Sequence, residues 1–267
     1  MISRKNIKYF LIKYRLLDGL KDIRKSIETL FRCNIIKTIY YNFRWLPFKQ
    51  AIRLPIVVGW RTKLKGKGKI VINCRPRLFM IDIGIPTIPC FDVYGSLTFL
   101  QIDGRISAGE CIKIHPSAKI WVGETGNLSF KGWNVIGNNT KIACFKEITI
   151  GEYTGISWES QVFDTNFHYT KDIVSGKILN KDNAVFIGKD VFIGNHVNIA
   201  KGSKIPDGSL VSAWSNVSGS FMKNKTSPLI QGPKASVIDN GFYIAQGFKM
   251  NQDERYGKIF KKKHSNK

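Results

Sequence analysis

The feature that most constrains the fold of this chain is an aliphatic residue that recurs every six positions. The unbroken series consists of Ile187, Ile193, Ile199, Ile205, Val211 and Val217. A six-residue period matches neither the 3.6-residue turn of an α-helix nor the two-residue alternation of a β-hairpin. It matches a coil with flat sides, in which each side is a short strand that points one aliphatic residue inward. Three such sides make a triangular turn of about eighteen residues.

The same spacing occurs earlier in the chain but is less regular there. Further series are Ile136, Ile142 and Ile148, then Ile150, Ile156 and Val162, and more weakly Ile106 and Ile112, then Ile114 and Ile120. Glycine and asparagine in GNNT, GEYT, GKD and GNH supply the backbone conformations that sharp corners need. The sequence therefore predicts an all-β solenoid with a core of stacked aliphatic side chains.

One long interruption separates two parts of the predicted solenoid. Val162 and Ile187 lie 25 positions apart, which is not a multiple of six. The stretch between them, FDTNFHYTKDIVSGKILNKDNA, is polar and contains His168. Because long loops on rigid scaffolds often carry functional residues, we expect a functional loop over residues 163–184.

The net charge of +23 lies mainly at the two ends of the chain. Residues 1–69 contain 18 Lys and Arg against three acidic residues, and residues 249–267 contain seven against two. The 179 residues between them contain 17 against 14, a net of only +3. Because this central part is nearly neutral and has no recognisable DNA- or RNA-binding motif, we expect no nucleic-acid partner.

The basic N-terminal segment has an amphipathic pattern. The apolar stripe consists of Leu16, Leu20, Ile23, Ile27 and Leu30. Its 4, 3, 4, 3 spacing is typical of one helix face, and the basic residues around it lie on other faces. Such a helix can lie in a bilayer interface, or it can pack on the main domain with its basic face in solvent. Peripheral membrane contact through residues 1–50 therefore stays open beside simple packing.

The chain divides into three parts by composition and pattern. We predict a basic helical extension over residues 1–55, a β-helix domain over 56–240 and a basic tail over 241–267. No apolar run approaches the ~20 residues of a membrane-spanning helix, and the first residues lack the features of a signal peptide. The five cysteines form no CxxC pair, which favours reduced thiols in a cytoplasmic protein, either free or at the inner membrane face.

The segment VFIGKDVFIGNHVNIAKGSKIPDGSLVSAWSNVSG resembles the hexapeptide-repeat acyltransferases. The resemblance is good over residues 100–240 and weaker over 55–100, and the N-terminus is similar to extensions in the polysaccharide O-acetyltransferase branch. It implies a left-handed parallel β-helix, a handedness that the spacing alone does not give because left-handed crossovers are rare elsewhere. It also implies a bacterial enzyme that forms a homotrimer, with its sites between neighbouring solenoids.

The resemblance further implies that His168 is the general base of acyl transfer, since SWESQVFDTNFH is similar to the family's catalytic loop. Imidazole suits this role because its pKa lies near neutrality. Without the resemblance, a simple surface histidine would be the better interpretation. Asp164 is the first candidate to orient the ring and Glu159 the second, and Asn166 and Trp158 are candidates for sugar binding.

The donor implied by the resemblance is acetyl-CoA. The positions that match the family's donor groove are Gly194, Asn195, Ser212 and Ala213, with Lys223 expected at the nucleotide phosphates. The chain departs from the family at Phe192, where tryptophan is common, and at Trp214, where glycine is common. These departures change the side chains at the expected donor groove.

Two other histidines, His115 and His196, are interpreted as structural. No metal is expected, because no pair of cysteines or histidines has the spacing of metal ligands. The leading hypothesis is an acetyl-CoA-dependent O-acetyltransferase acting on a sugar hydroxyl of a surface or capsular polysaccharide or its precursor. An N-acetyltransferase of an amino sugar or a small molecule, and a non-catalytic solenoid that binds or scaffolds, stay open as alternatives.

Overall fold

The computed structural model describes residues 28–86, 96–171, 178–223, 227–234 and 236–240. The apolar stripe from Leu16 to Ile27, the cysteine at position 90 and the tail over 241–267 lie outside the described residues.

Within these ranges, three sheets form the three sides of a solenoid, and all their strand pairs are parallel except the last pair of sheet 1. Successive strands of the solenoid pass from one side to the next. Sheet 1 contains β1 (Ile56–Val58), β4 (Ile81–Ile83), β7 (Ile112–Ile114), β10 (Val135–Ile136), β13 (Gly155–Ile156), β18 (Phe192–Ile193), β21 (Leu210–Val211), β23 (Pro228–Gln231) and β24 (Ser236–Asn240). Sheet 2 contains β2 (Thr62–Lys65), β5 (Thr98–Ile102), β8 (Lys119–Val122), β11 (Lys141–Cys144), β14 (Gln161–Phe163), β19 (Asn198–Ile199) and β22 (Asn216–Val217). Sheet 3 contains β3 (Lys69–Ile72), β6 (Arg105–Ala108), β9 (Asn127–Phe130), β12 (Glu147–Ile150), β17 (Val185–Ile187) and β20 (Lys204–Ile205).

The register between coils explains where the six-residue period is clear and where it fades. Ile193 pairs with Val211, 18 residues further on, so each side of that coil takes six residues. Ile114 pairs with Ile136, 22 residues further on, because earlier coils have longer strands and turns. The solenoid already begins at Ile56, although the six-residue period cannot be recognised in that part of the sequence.

The core is the predicted stack of aliphatic side chains. The six residues of the unbroken series from Ile187 to Val217 are all 0–1% exposed. Each strand inside a sheet also pairs with the coil before it and the coil after it. Burial and main-chain hydrogen bonding therefore support the same architecture. The predicted all-β solenoid is confirmed.

Helices cover the first coil. Residues 28–32 are helical, and longer helical segments follow at Ile35–Trp45 and Phe48–Ala51. The break between the last two coincides with Pro47, which has no N–H to continue a helix. At the other end, β23 and β24 pair antiparallel. Within the described ranges, no helix is both long and apolar enough to cross a membrane.

A loop leaves the solenoid after Phe163 and returns at Val185. Inside it, β15 (Thr170–Lys171) and β16 (Ile178–Leu179) form a short antiparallel pair. The predicted extruded loop is therefore present, and the coils before and after it stay in register, with Ile156 opposite Ile193.

Candidate active site

Two neighbouring corners of the solenoid carry the predicted site residues. One corner joins sheet 1 to sheet 2 and contains Glu159 and His196; the other is the point where the loop with His168 leaves sheet 2. The strand between them, β14, has three residues and therefore spans about 10 Å. Outer-surface residues of sheet 2 lie between the two corners.

The first corner repeats in successive coils and aligns its outermost residues in a column. The residues at this position, all with left-handed φ between 55° and 67°, are Ser117, Asn139, Glu159, His196 and Trp214. The backbone N–H of Glu159 donates to Asn138, that of His196 to Trp158 and that of Trp214 to Asn195, at 2.8–3.2 Å. The coil-to-coil hydrogen bonds therefore place these three side chains one above the next.

Glu159, His196 and Trp214 contact one another. The His196 Nε2 atom lies 2.8 Å from the Glu159 Oε2 atom. The imidazole also stacks on the Trp214 indole, with ring centroids 4.1 Å apart and planes 13° from parallel. Trp214 itself is 69% exposed, so one side of its ring is available to a ligand.

These residues border an open cleft of about 520 Å³ on sheet 2. Its floor is a ladder of amide side chains, because Gln161 pairs with Asn198 and Asn198 with Asn216 on adjacent parallel strands. Amides, one carboxylate and an aromatic face are a suitable lining for a polar ligand of monosaccharide size. We name this space the amide cleft.

Four of the predicted donor-binding residues lie at the same corner. Gly194 and Asn195 precede His196, and Ser212 and Ala213 precede Trp214. Gly194 is buried directly beneath the next coil, where a Cβ atom would lie 2.6 Å from the Ala213 backbone nitrogen. Its lack of a side chain therefore has a structural cause, whatever it binds.

Asp164 anchors the start of the loop. Its Oδ1 atom accepts the Phe145 N–H at 2.7 Å, and its Oδ2 atom accepts the Lys146 and Glu147 N–H groups at 2.8 and 2.7 Å. Burial raises the pKa of this carboxyl, and the three N–H donors oppose that rise. The side chain is fully buried.

Backbone contacts hold the two ends of the loop together. The Asn183 N–H donates to the Asp164 carbonyl at 2.7 Å, and the Asn166 N–H donates to the Lys181 carbonyl at 3.1 Å. Between these contacts, Thr165 and Asp182 form an antiparallel bridge. The loop therefore leaves the solenoid as a closed, paired stem.

An aromatic cluster fixes the position just before His168. The Phe167 ring packs against Trp121, Phe145 and Phe163, with centroids 5.5–6.1 Å apart. No motif or period in the sequence indicates this cluster. Phe163 and Phe167 also line a second, apolar cleft of about 530 Å³ over β8 and β11. His168 itself is exposed.

The structure separates some residues that we expected to act together. Within the described part of the chain, neither Asp164 nor Glu159 is hydrogen-bonded to His168: Asp164 binds backbone N–H groups, and Glu159 pairs with His196. Asn166 is exposed in the loop, and Trp158 is half-buried at the first corner. The sequence contains a pattern that predicts the column at the first corner. Glu159, His196 and Trp214 each follow an inward aliphatic residue by three positions.

Lys223 and His115 are not part of the column of Glu159, His196 and Trp214. Lys223 is exposed and follows Phe221, whose N–H donates to Lys204 on sheet 3. The buried His115 ring has its Nδ1 atom 3.3 Å from the Asn138 Oδ1 atom. Among the described residues, no group of three or more His, Cys, Asp or Glu side chains could hold a metal ion.

Comparison with known proteins adds information on the fold. No protein-family model and no curated protein matches the sequence. Among solved structures, the chain is similar to the polysialic acid O-acetyltransferase OatWY, at 19% identity and a TM-score of 0.52, over 74% of this chain and 99% of OatWY.

Two further structures are similar at lower scores. The polySia-specific acetyltransferase NeuO is 16% identical with a TM-score of 0.44, over 76% of this chain and 98% of NeuO. AntD, an N-acyltransferase from Bacillus cereus in complex with dTDP and coenzyme A, is 16% identical with a TM-score of 0.40, over 78% of this chain and 89% of AntD. The likeness to OatWY confirms the predicted fold class: the chain is a left-handed parallel β-helix.

Proposed function

We propose that the protein is an acetyl-CoA-dependent O-acetyltransferase that acts on a sugar hydroxyl of a surface or capsular polysaccharide or its precursor. The observation that supports this most strongly is the closed loop stem that holds His168 one short strand away from the Gly194 corner. A rigid scaffold that presents an exposed imidazole close to the proposed donor corner suits transfer between two bound substrates. The fold is also that of OatWY, a polysialic acid O-acetyltransferase.

In the proposed reaction, His168 is the catalytic base. One ring nitrogen accepts the proton of the sugar hydroxyl while the hydroxyl oxygen attacks the thioester carbonyl carbon. The tetrahedral intermediate then collapses, the carbon–sulfur bond breaks, and the imidazolium returns the proton to the leaving thiolate of CoA. The acetyl group ends on the sugar oxygen, and the base is regenerated.

The donor is proposed to lie along the corner formed by Gly194, Asn195, Ser212 and Ala213. The backbone at this edge carries small residues, so an extended pantetheine arm can approach its N–H and carbonyl groups closely. Lys223 is proposed to meet the nucleotide phosphates. Because such a groove is completed by a neighbouring solenoid in this type of enzyme, the proposal includes a homotrimer.

The acceptor is proposed to occupy the amide cleft, with Trp158 and Asn166 as further candidates for sugar contacts. Gln161, Asn198 and Asn216 offer both donors and acceptors to sugar hydroxyls. Asp164 and Glu159 take positioning roles in this proposal: Asp164 holds the loop stem, and Glu159 holds His196.

Incubation of the purified protein with acetyl-CoA and a panel of capsular oligosaccharides tests the proposal. Mass spectrometry should detect the addition of an acetyl group to one member of the panel, and the acetyl group should be released by mild base, as an ester is and an amide is not. His168→Ala is the matched control and should give no product above background. Acetylation that survives base treatment, or equal product with His168→Ala, would contradict it.

A further inference from the structure

The helix Ile35–Trp45 turns its apolar side outward. Its buried side consists of Thr38, Tyr41, Asn42 and Trp45, so two of the four buried positions are polar. The side that faces solvent contains Ile36, Ile39 and Phe43 instead. This is the reverse of the usual arrangement, in which the apolar stripe of a surface helix packs on the core.

The buried polar residues explain why the helix lies this way. Asn42 accepts the Ile56 N–H at 3.1 Å and donates to the Ile56 carbonyl at 2.6 Å. Thr38 accepts the Val58 N–H at 3.2 Å. Ile56 and Val58 are on β1, the first strand of sheet 1, whose free edge would otherwise present unpaired main-chain groups. The helix therefore covers a sheet edge with its polar side and is left with its apolar side exposed.

The exposed side continues into the flanking segments. The apolar face, as we define it, consists of Phe31, Ile36, Ile39, Tyr40, Phe43 and Phe48. Phe31 is 83% exposed, Ile36 77% and Phe48 71%. The Phe43 and Phe48 rings lie 5.9 Å apart, so the face spans both helices. Exposed apolar side chains in this number on one helical segment are typical of an interaction site.

The charge around this face is predominantly positive. Residues 28–82 contain 12 Lys and Arg against two acidic residues, Glu28 and Asp82. Some of these cations are directed back to the solenoid, since Lys37 donates to the Trp60 carbonyl at 2.9 Å. Lys49 and Arg53 are exposed beside Phe48. An apolar partner that carries negative charge therefore complements this surface.

We propose that the apolar face docks on an anionic membrane surface. Aliphatic and aromatic side chains would enter the interface between head groups and acyl chains, and the surrounding cations would attract the lipid phosphates and carboxylates. A neutral protein partner would match the apolar residues but not the excess of positive charge. The proposal does not rest on the acetyltransferase activity, so either can fail alone.

Vesicle co-sedimentation of the full-length protein tests this inference. The protein should bind vesicles of phosphatidylcholine with about 30 mol% phosphatidylserine, bind phosphatidylcholine alone much more weakly, and be released by high salt. The double variant Ile36→Gln/Phe43→Gln should bind the anionic vesicles about tenfold or more weakly. Lys49→Glu/Arg53→Glu should weaken binding to anionic vesicles and leave the weak binding to neutral vesicles unchanged.

Val135→Gln is the matched control, because Val135 is an exposed aliphatic residue on β10 outside the helical segment. It should bind like the unmodified protein, and circular dichroism should show that all variants are folded. Absence of binding to anionic vesicles, or equal binding by Ile36→Gln/Phe43→Gln, would overturn the proposal. If vesicles are not bound and this double variant lowers the oligomeric mass in solution, a second copy of the chain covers the face instead.

Discussion

The Nε2 atom of His196 lies 2.8 Å from the Oε2 atom of Glu159, although 37 positions separate the two residues in sequence. The coil register aligns them, because Ile156 pairs with Ile193 and each residue of the pair follows its isoleucine by three positions. Both side chains are partly exposed, so solvent screens their attraction and the pair adds little to stability. The pair is important because both residues line the amide cleft.

We expect changes in this pair to affect binding more than turnover. Glu159→Gln and Trp214→Ala should raise the KM for the acceptor about tenfold and change kcat less than threefold, because both residues line the cleft but neither transfers a proton in the proposed reaction. Steady-state kinetics measures both parameters. Trp133→Ala is the matched control: Trp133 stacks on Tyr153 at another left-handed corner, and its loss should leave KM unchanged.

Gly194 should tolerate no side chain. In Gly194→Ala the new Cβ would lie 2.6 Å from the Ala213 nitrogen and 2.9 Å from the Val211 carbonyl oxygen, so the two coils must separate. We expect a loss of about 1–3 kcal/mol in the free energy of unfolding, measured by urea denaturation. Gly155→Ala is the control, because the nearest atom to its new Cβ is 3.7 Å away. Equal stability of the two variants would argue against the tight coil contact.

Asp164→Asn should loosen the loop stem. The amide would direct an NH2 group at backbone N–H donors that now share two carboxylate oxygens. Leaving one such buried group unpaired costs about 1–3 kcal/mol, and protease cleavage within the loop should become faster. The control Asp207→Asn changes an exposed carboxylate that accepts a single N–H, from Lys189. It should change stability by less than about 0.5 kcal/mol.

Cys144 should resist alkylation in the folded protein. Burial raises the pKa of its thiol, so the reactive thiolate is scarce even in mildly alkaline solution. Treatment with iodoacetamide at about pH 8, followed by peptide mass mapping, should label the half-buried Cys111 before Cys144. Labelling of both at the same rate would show that the coil around Cys144 opens readily.

The solenoid could be predicted because its cause is local and repeated. One inward aliphatic residue per side is enough to specify the coil, and Ile187 to Val217 show this pattern without a break. The loop could be predicted because the 25 positions between Val162 and Ile187 are not a multiple of six. The earliest coils, from Ile56, were harder to recognise because their longer strands and turns interrupt the six-residue period.

The contacts within the site depend on information that the sequence carries less directly. To predict the column of Glu159, His196 and Trp214, one must know how the strands before the loop pair with those after it. The six-residue period gives this register only if the coil continues after the loop without a shift. The packing of Phe167 on Trp121 depends on how the loop folds back, and no periodic pattern encodes that. The outward apolar side of the helix Ile35–Trp45 depends on the hydrogen bonds of Asn42 to β1.

The central claim is that His168 is the base, and the turnover number of His168→Ala measured beside that of His196→Ala tests it most directly. Release of CoA thiol in the presence of acceptor gives kcat for each variant. We predict that His168→Ala lowers kcat by about 100-fold or more, whereas His196→Ala raises KM and keeps kcat within threefold. The opposite result, a large loss of kcat in His196→Ala with His168→Ala still active, would contradict the account and assign the base to the imidazole paired with Glu159.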